Sequence, residues 1–331
     1  MTHLLEVQDL VVKFGLRSGD LTALNGINFT LNPGERMGLV GESGAGKSVA
    51  GFSIINLISR PGFIASGRVL FEGEEISAYP LEQMRGIRGN RISMIFQDPM
   101  MTLNPVLTIG TQMVETVQAH RRIGKAEARE LALEKLRKVY IPSPEKRLDQ
   151  YPHEMSGGMR QRIVIAIALL TDPALIIADE PTTALDVTIQ AGIMELLTEL
   201  CETEAMGLIL ITHDLAVVSQ VTERIAVMYA GRIIETGYTT DIVTHPRHPY
   251  TIGLINSLPG TRQAGSRLEQ IPGMMPNLTA IPEGCAFHPR CFLAADQCRR
   301  HRPELTAVSG GRHWAACHRL DQTLGHNHLH R

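Results

Sequence analysis

Eight residues restrict this chain more than any others: Gly41-Glu42-Ser43-Gly44-Ala45-Gly46-Lys47-Ser48, a full match to Gly-x4-Gly-Lys-Ser. The short apolar run Met37–Val40 precedes them, and Val49–Ile58, apolar and of helical length, follows. A strand, a glycine-rich turn and a helix in that order form the setting in which such a loop holds phosphate. Backbone N–H groups converge on phosphate oxygens where no Cβ intervenes, and the helix N-terminus adds positive potential. Gly41, Ser43, Gly44 and Gly46 are therefore expected to line a nucleotide's phosphates. Lys47 is expected to reach the β- and γ-phosphates, and the Ser48 hydroxyl to bind Mg²⁺.

The rest of the chain supplies a frame for that loop. Leu175–Ala178 and Leu208–Ile211 are short, continuous apolar runs with polar flanks, as expected of central strands in a parallel sheet covered on both faces. Asp179 and Glu180 close the first run. A carboxylate at that edge is placed to hold Mg²⁺, and a second to orient and deprotonate an attacking water. Upstream, Leu4–Phe14 alternates loosely, Asn25-Gly26 reads as a hairpin turn, and Arg68–Glu72 reads as a further strand, together an antiparallel region. From Ile109 to Tyr140 the spacing is helical, with Leu133, Leu136 and Tyr140 on one face. The expected fold class is α/β.

Composition narrows the function. Apolar residues make up 44% of 331 and charged residues 20%, so a sizeable core can form and wholesale disorder is excluded. Lys plus Arg number 32 against 34 Asp plus Glu, a net charge of −2. That balance argues against nucleic acid as a partner, because coating phosphate needs a basic excess. The longest apolar run, Ile163–Leu170, spans eight residues, where crossing a bilayer takes about 20. The first residues lack the pattern of an export signal. The chain is expected neither to be secreted nor to span a membrane.

Tyr151-Pro152-His153-Glu154-Met155-Ser156-Gly157-Gly158-Met159-Arg160-Gln161 resembles the signature of the ATP-binding cassette ATPases, usually Leu-Ser-Gly-Gly-Gln, with Met155 and Met159 departing from it. Ser156, Gly157 and Gly158 open an apolar helix and so offer a second anion site. The resemblance implies that this site closes on ATP held by a partner ATPase subunit. Phe96-Gln97-Asp98-Pro99 resembles the family's glutamine loop, with Gln97 near Mg²⁺ and the next residues touching a membrane subunit. Ala184-Leu185-Asp186 resembles the loop through which the two ATPases communicate, with Asp186 near nucleotide. His213, in Ile211-Thr212-His213-Asp214, resembles the switch histidine at the γ-phosphate. Phe14 resembles the aromatic residue that stacks on adenine. Gln97, Glu180 and His213 are thus the expected catalytic set, and ATP and Mg²⁺ the expected ligands.

Within that family, Phe96–Pro105, Ala178–Thr188 and His245-Pro246-Arg247-His248-Pro249-Tyr250-Thr251 look like the dipeptide and oligopeptide importers. On residues alone, His245 and His248 could bind metal, but Pro246 and Pro249 favour a rigid turn. The proline-rich end of the chain carries Cys285-x5-Cys291-x6-Cys298-x18-Cys317. Four thiolates can hold zinc or an iron–sulfur cluster, or remain free thiols. The resemblance favours a 4Fe–4S cluster, with zinc as the alternative. Cys201 stands apart as a free thiol, and His326, His328 and His330 fall in a polar tail.

The organisation expected is an ATPase domain over 1–244 with a helical subdomain near 98–165, a cysteine-bearing extension over 245–320, and a flexible tail over 321–331. The resemblance implies peptide import powered by ATP hydrolysis at the cytoplasmic face of the cell membrane. It also implies two transmembrane permeases, a second ATPase subunit and an extracytoplasmic solute-binding protein. Related importers carry nickel, glutathione or antimicrobial peptides. A soluble cassette ATPase of repair or translation is a rival class, but those carry tandem cassettes or coiled-coil insertions that this chain lacks. The separation in sequence sets the cysteines at a distance from the Lys47 loop.

Overall fold

Short runs of alternating or continuous apolar residues dominate the first eighty positions, and in the computed structural model they become strands. The structure describes residues 2–17, 19–183, 185–258, 270–309 and 311–323. His326, His328, His330 and Ala184 lie outside them. Among the described residues the strands are, in chain order, β1 (Leu5–Leu16), β2 (Gly19–Leu31), β3 (Arg36–Val40), β4 (Gly62–Phe71), β5 (Glu74–Glu75), β6 (Ile92–Ile95), β7 (Leu175–Asp179), β8 (Gly207–Thr212), β9 (Arg224–Tyr229), β10 (Arg232–Tyr238), β11 (Thr306–Ser309) and β12 (His313–Ala315). The chain forms two compact units, Met1–Leu31, Arg36–Ser77 and Leu210–Arg331 in the first, Asn32–Glu35 and Ala78–Ile209 in the second.

In the first unit, β2, β1, β4 and β5 form an antiparallel sheet in that order. Leu5, Leu10, Val12, Leu24, Ile27 and Leu31 are fully or almost fully buried on it, as alternation on a half-covered sheet requires. Asn25-Gly26 is not the hairpin turn expected. Leu16 pairs with Gly19, while Leu10 pairs with Ile27 and Val11 with Asn25, leaving Gly26 as the extra residue of a bulge. Gly26 takes φ +70°, a left-handed conformation that suits such a bulge as well as a tight turn. A second set of strands joins β3 to β9 in parallel and continues through β10, β12 and β11 by antiparallel pairing.

In the second unit, β6 and β7 pair in parallel. All five residues of β7 are buried, which explains the uninterrupted apolar run Leu175–Ala178 that leads to Asp179. The helical stretch expected from Ile109 to Tyr140 is two helices, Ile109–His120 and Lys125–Lys138, parted at Arg121–Gly124. Helix Gly157–Ala168 buries Ile163, Val164, Ile165 and Ala166, and helix Val187–Glu204 buries Ile193, Leu196, Leu197 and Leu200. Lys135, almost fully buried, meets Asp172 at 2.5 Å, and Arg121 meets the same carboxylate at 2.9 Å. Among the described residues, no helix is long and apolar enough to cross a membrane.

Candidate nucleotide and thiol sites

The phosphate loop leaves β3 and enters helix Lys47–Ile54 with Gly46 at its N-cap, φ +101°. A Cβ on Gly46 would lie 3.0 Å from the Ala23 carbonyl oxygen and 2.9 Å from a Leu24 methyl, so both backbone angle and space demand glycine there. Lys47 is buried, and its Nζ donates to the carbonyls of Gly41 (2.8 Å) and Glu42 (3.0 Å). Gly41, Ser43, Gly44, Lys47 and Ser48 therefore all sit in one strand–loop–helix element, as the motif requires. The turn between β9 and β10 braces it from behind: the Gly231 N–H donates to Ala45 O, and Asn25 N–H donates to Gly231 O. His213 follows β8 in the same unit and is exposed, while Asp214 caps the next helix by accepting from Ala216 and Val217. Phe14 lies near the end of β1 opposite Gly62, half-buried, with its ring over that glycine.

The second unit holds the remaining candidates. Asp179 ends β7 and is buried. Glu180 follows with φ +46°, a backbone conformation that costs energy for a non-glycine residue and gathers at functional sites. Its Oε2 accepts from Gln97 Nε2 at 3.0 Å and from Thr183 Oγ1 at 2.9 Å. Gln97 is thus on the Glu180 carboxylate, a contact that spacing could not have revealed. Ser156 caps helix Gly157–Ala168, its Oγ accepting from Met159 N–H, and both Ser156 and Gly157 are exposed. Met155 is buried, so this departure from the usual leucine is an apolar core exchange. Asp186 caps helix Val187–Glu204 by accepting from Ile189 N–H.

The His-Pro segment is built around a buried carboxylate. Glu235, fully buried on β10, accepts from the N–H groups of Arg247 (2.6 Å) and His248 (2.9 Å) and meets His313 Nε2 at 2.7 Å. His248 Nδ1 accepts from Tyr250 N–H at 3.0 Å, capping helix Pro249–Asn256. Burial drives the His248 pKa down to about 3, so its ring is neutral, as an accepting Nδ1 must be. The rigid-turn reading of this segment is the one its hydrogen bonds follow.

Cys285, Cys291, Cys298 and Cys317, more than 30 residues apart at their extremes, line one small cavity with His248, His288 and His318. Leu293 N–H donates to Cys291 Sγ (3.4 Å) and Arg319 N–H to Cys317 Sγ (3.3 Å). Cys285 N–H donates to Cys298 O at 2.8 Å. Burial pushes the Cys291 thiol up to about 12 and Cys317 up to about 11. Among the described residues, no three His, Cys, Asp or Glu side chains form a group that could hold one metal ion. Cys201 is buried in helix Val187–Glu204.

Comparison with known proteins settles the family. Residues 24–183 match the ABC transporter family and residues 234–298 the oligopeptide/dipeptide transporter C-terminal region. The chain is 49% identical to the oligopeptide transport ATP-binding protein of Salmonella typhimurium, covering 93% of this chain and 92% of that one. It belongs to the ABC transporter ATPases. The dipeptide transport ATP-binding protein of Escherichia coli K12 is 46% identical, with 95% of this chain and 96% of that one covered. Among solved structures, a dimeric ATP-binding cassette with bound ADP and phosphate superposes with a TM-score of 0.64 at 27% identity, over 71% of this chain and 98% of that one. As a member of this family the chain is an ATPase.

Proposed function

We propose that this ATPase powers the import of short peptides. The observation that carries the reading is the match of residues 234–298 to the C-terminal region of oligopeptide and dipeptide transporters, joined to 49% and 46% identity over nearly the whole chain with oligopeptide and dipeptide transport ATP-binding proteins. In this reading Lys47, Ser48 and the loop glycines hold ATP·Mg²⁺ with Asp179. Glu180 takes the proton of the attacking water and His213 senses the γ-phosphate. Met101 and Val106, 85% and 75% exposed just beyond the glutamine loop, supply an apolar surface for a permease. The subunit works at the cytoplasmic face of the membrane with two permeases, a second ATPase and a solute-binding protein. In vesicles carrying the assembled complex, ATP hydrolysis should rise several-fold when peptide-loaded binding protein is supplied. Hydrolysis indifferent to peptide would overturn the assignment.

The same reading gives the four cysteines a 4Fe–4S cluster. What supports it is that the four thiols line one cavity and two of them receive backbone N–H donors; the sulfurs would have to draw together to ligate, since among the described residues they do not form a metal-holding group. A cluster there cross-links loop-rich chain and keeps thiolates charged that burial alone would protonate. Protein purified without oxygen is expected to be brown and to contain iron and acid-labile sulfide. A colourless protein with one equivalent of zinc would replace this assignment, and a metal-free folded protein would remove it.

A further inference from the structure

Glu42, the first variable position of the phosphate loop, is held at three points, two of them by the C-terminal part of the chain. Its N–H donates to Tyr250 Oη at 2.8 Å. Its carbonyl accepts from Lys47 Nζ at 3.0 Å. Its carboxylate meets Arg290 through two parallel bonds, Nη1 to Oε2 and Nη2 to Oε1, each 3.0 Å. Two-pronged pairing of this kind fixes direction as well as distance.

Arg290 is itself built in. Its side chain is 7% exposed. Nε donates to Pro272 O at 2.9 Å and Nη1 to Tyr229 Oη at 3.3 Å. The guanidinium carbon stands 5.9 Å from the Tyr229 ring centre and 5.8 Å from that of Phe287. Those two rings and Tyr250 meet edge to face, with centroids 4.8 to 5.5 Å apart. Met275 also reaches the loop: a Cβ on Gly44 would come within 3.2 Å of its Cε. The cysteine-bearing region is therefore not remote from the Lys47 loop, contrary to the distance in sequence.

A carboxylate in a loop whose purpose is to gather polyphosphate is an electrostatic liability. Like charges at short range oppose each other strongly where water is scarce. We propose that Arg290 is a positioning residue for ATP: it neutralises Glu42 and fixes the loop, so that the backbone N–H groups face phosphate without a competing negative charge beside them. The inference rests on the phosphate-loop reading above.

The test is equilibrium binding of a fluorescent ATP analogue with Mg²⁺ to the full chain, with thermal melts run alongside. R290M is expected to raise Kd roughly tenfold, the scale of a typical coupling between sites. E42Q in the R290M background should recover most of that loss, because it removes the charge left uncompensated. R290K, which keeps a cation but not the fork, should give a smaller rise that E42Q again relieves. Rising salt should narrow the gap between R290M and wild type by screening. Wild-type affinity in both R290M and R290K, or failure of E42Q to rescue either, overturns the proposal. K47A separates this from the underlying reading: if K47A also binds ATP normally, the phosphate-loop assignment itself has failed.

Discussion

Glu180 stands on a backbone turned to φ +46°, and two donors, Gln97 Nε2 and Thr183 Oγ1, converge on one of its oxygens. A left-handed residue costs of order 1–3 kcal/mol, and the hydrogen bonds to Gln97 and Thr183 hold the carboxylate in that pose. The arrangement suits a general base whose orientation matters more than its mobility. Glu180→Gln keeps the shape and most of the bonding but has no basic oxygen. It should bind ATP·Mg²⁺ with affinity close to wild type while turnover in the assembled complex falls at least about 100-fold. Single-turnover phosphate release reads the chemistry, and nucleotide titration reads the binding. Wild-type turnover in Glu180→Gln would assign the base elsewhere. The place of Glu180 at the end of an apolar strand was legible in the sequence, but the bond to Gln97 joins residues 83 apart and no local spacing encodes it.

Elements follow a similar division. β3, β7 and β8 were legible because buried parallel strands need continuous apolar runs. Asn25-Gly26 misled because a bulge and a hairpin turn ask for the same left-handed glycine. The break between Ile109–His120 and Lys125–Lys138 carries no proline, and the helical spacing on either side hid it. The Glu42–Arg290 pair, 248 residues apart, was invisible for want of any local signal. Asp172 was equally silent in sequence, yet it ties together elements of the second unit by pairing with Lys135 on one helix and Arg121 at the end of another. Burial pushes its carboxyl up, but the bonds to Lys135 and Arg121 outweigh that and leave it below the ordinary carboxylate range. A depressed carboxyl contributes stability that is fully present above its unfolded pKa and is lost as pH falls through the folded one. Asp172→Asn leaves Lys135 buried without its counter-charge, at a cost of about 1–2 kcal/mol near pH 7, less than for a fully buried pair because Asp172 is half exposed. Urea melts should show that gap closing as the pH is taken down through the carboxylate range. An equal gap at acid and neutral pH would show that packing, not charge, accounts for the loss.

At the scale of the whole molecule, the surface of the second unit leaves catalytic-type features turned outward. Ser156 and Gly157 are exposed at the start of an apolar helix, Asp186 is exposed at the start of another, and Val187 is 83% exposed beside it. A large aliphatic residue left in water beside two polar helix starts is the pattern of a surface completed by a partner. The solved cassette that superposes on this chain was captured as a dimer with ADP and phosphate bound; under the function proposed above, an analogous pairing with the second ATPase subunit would give each ATP a second set of N–H donors. Such a dimer would be held through its nucleotide, so its stability would be linked to ATP by mass action. The isolated chain is therefore expected to be monomeric and slow. Glu180→Gln, unable to discharge the nucleotide, should accumulate an ATP-bound dimer with the second ATPase subunit, visible by light scattering after gel filtration. Val187→Glu should abolish that dimer, because it sets a charge into the surface to be dried, while leaving the monomer's ATP affinity unchanged. Dimer formation undiminished by Val187→Glu would move the interface elsewhere, and high, concentration-independent turnover from the isolated chain would show that its site is complete without a partner.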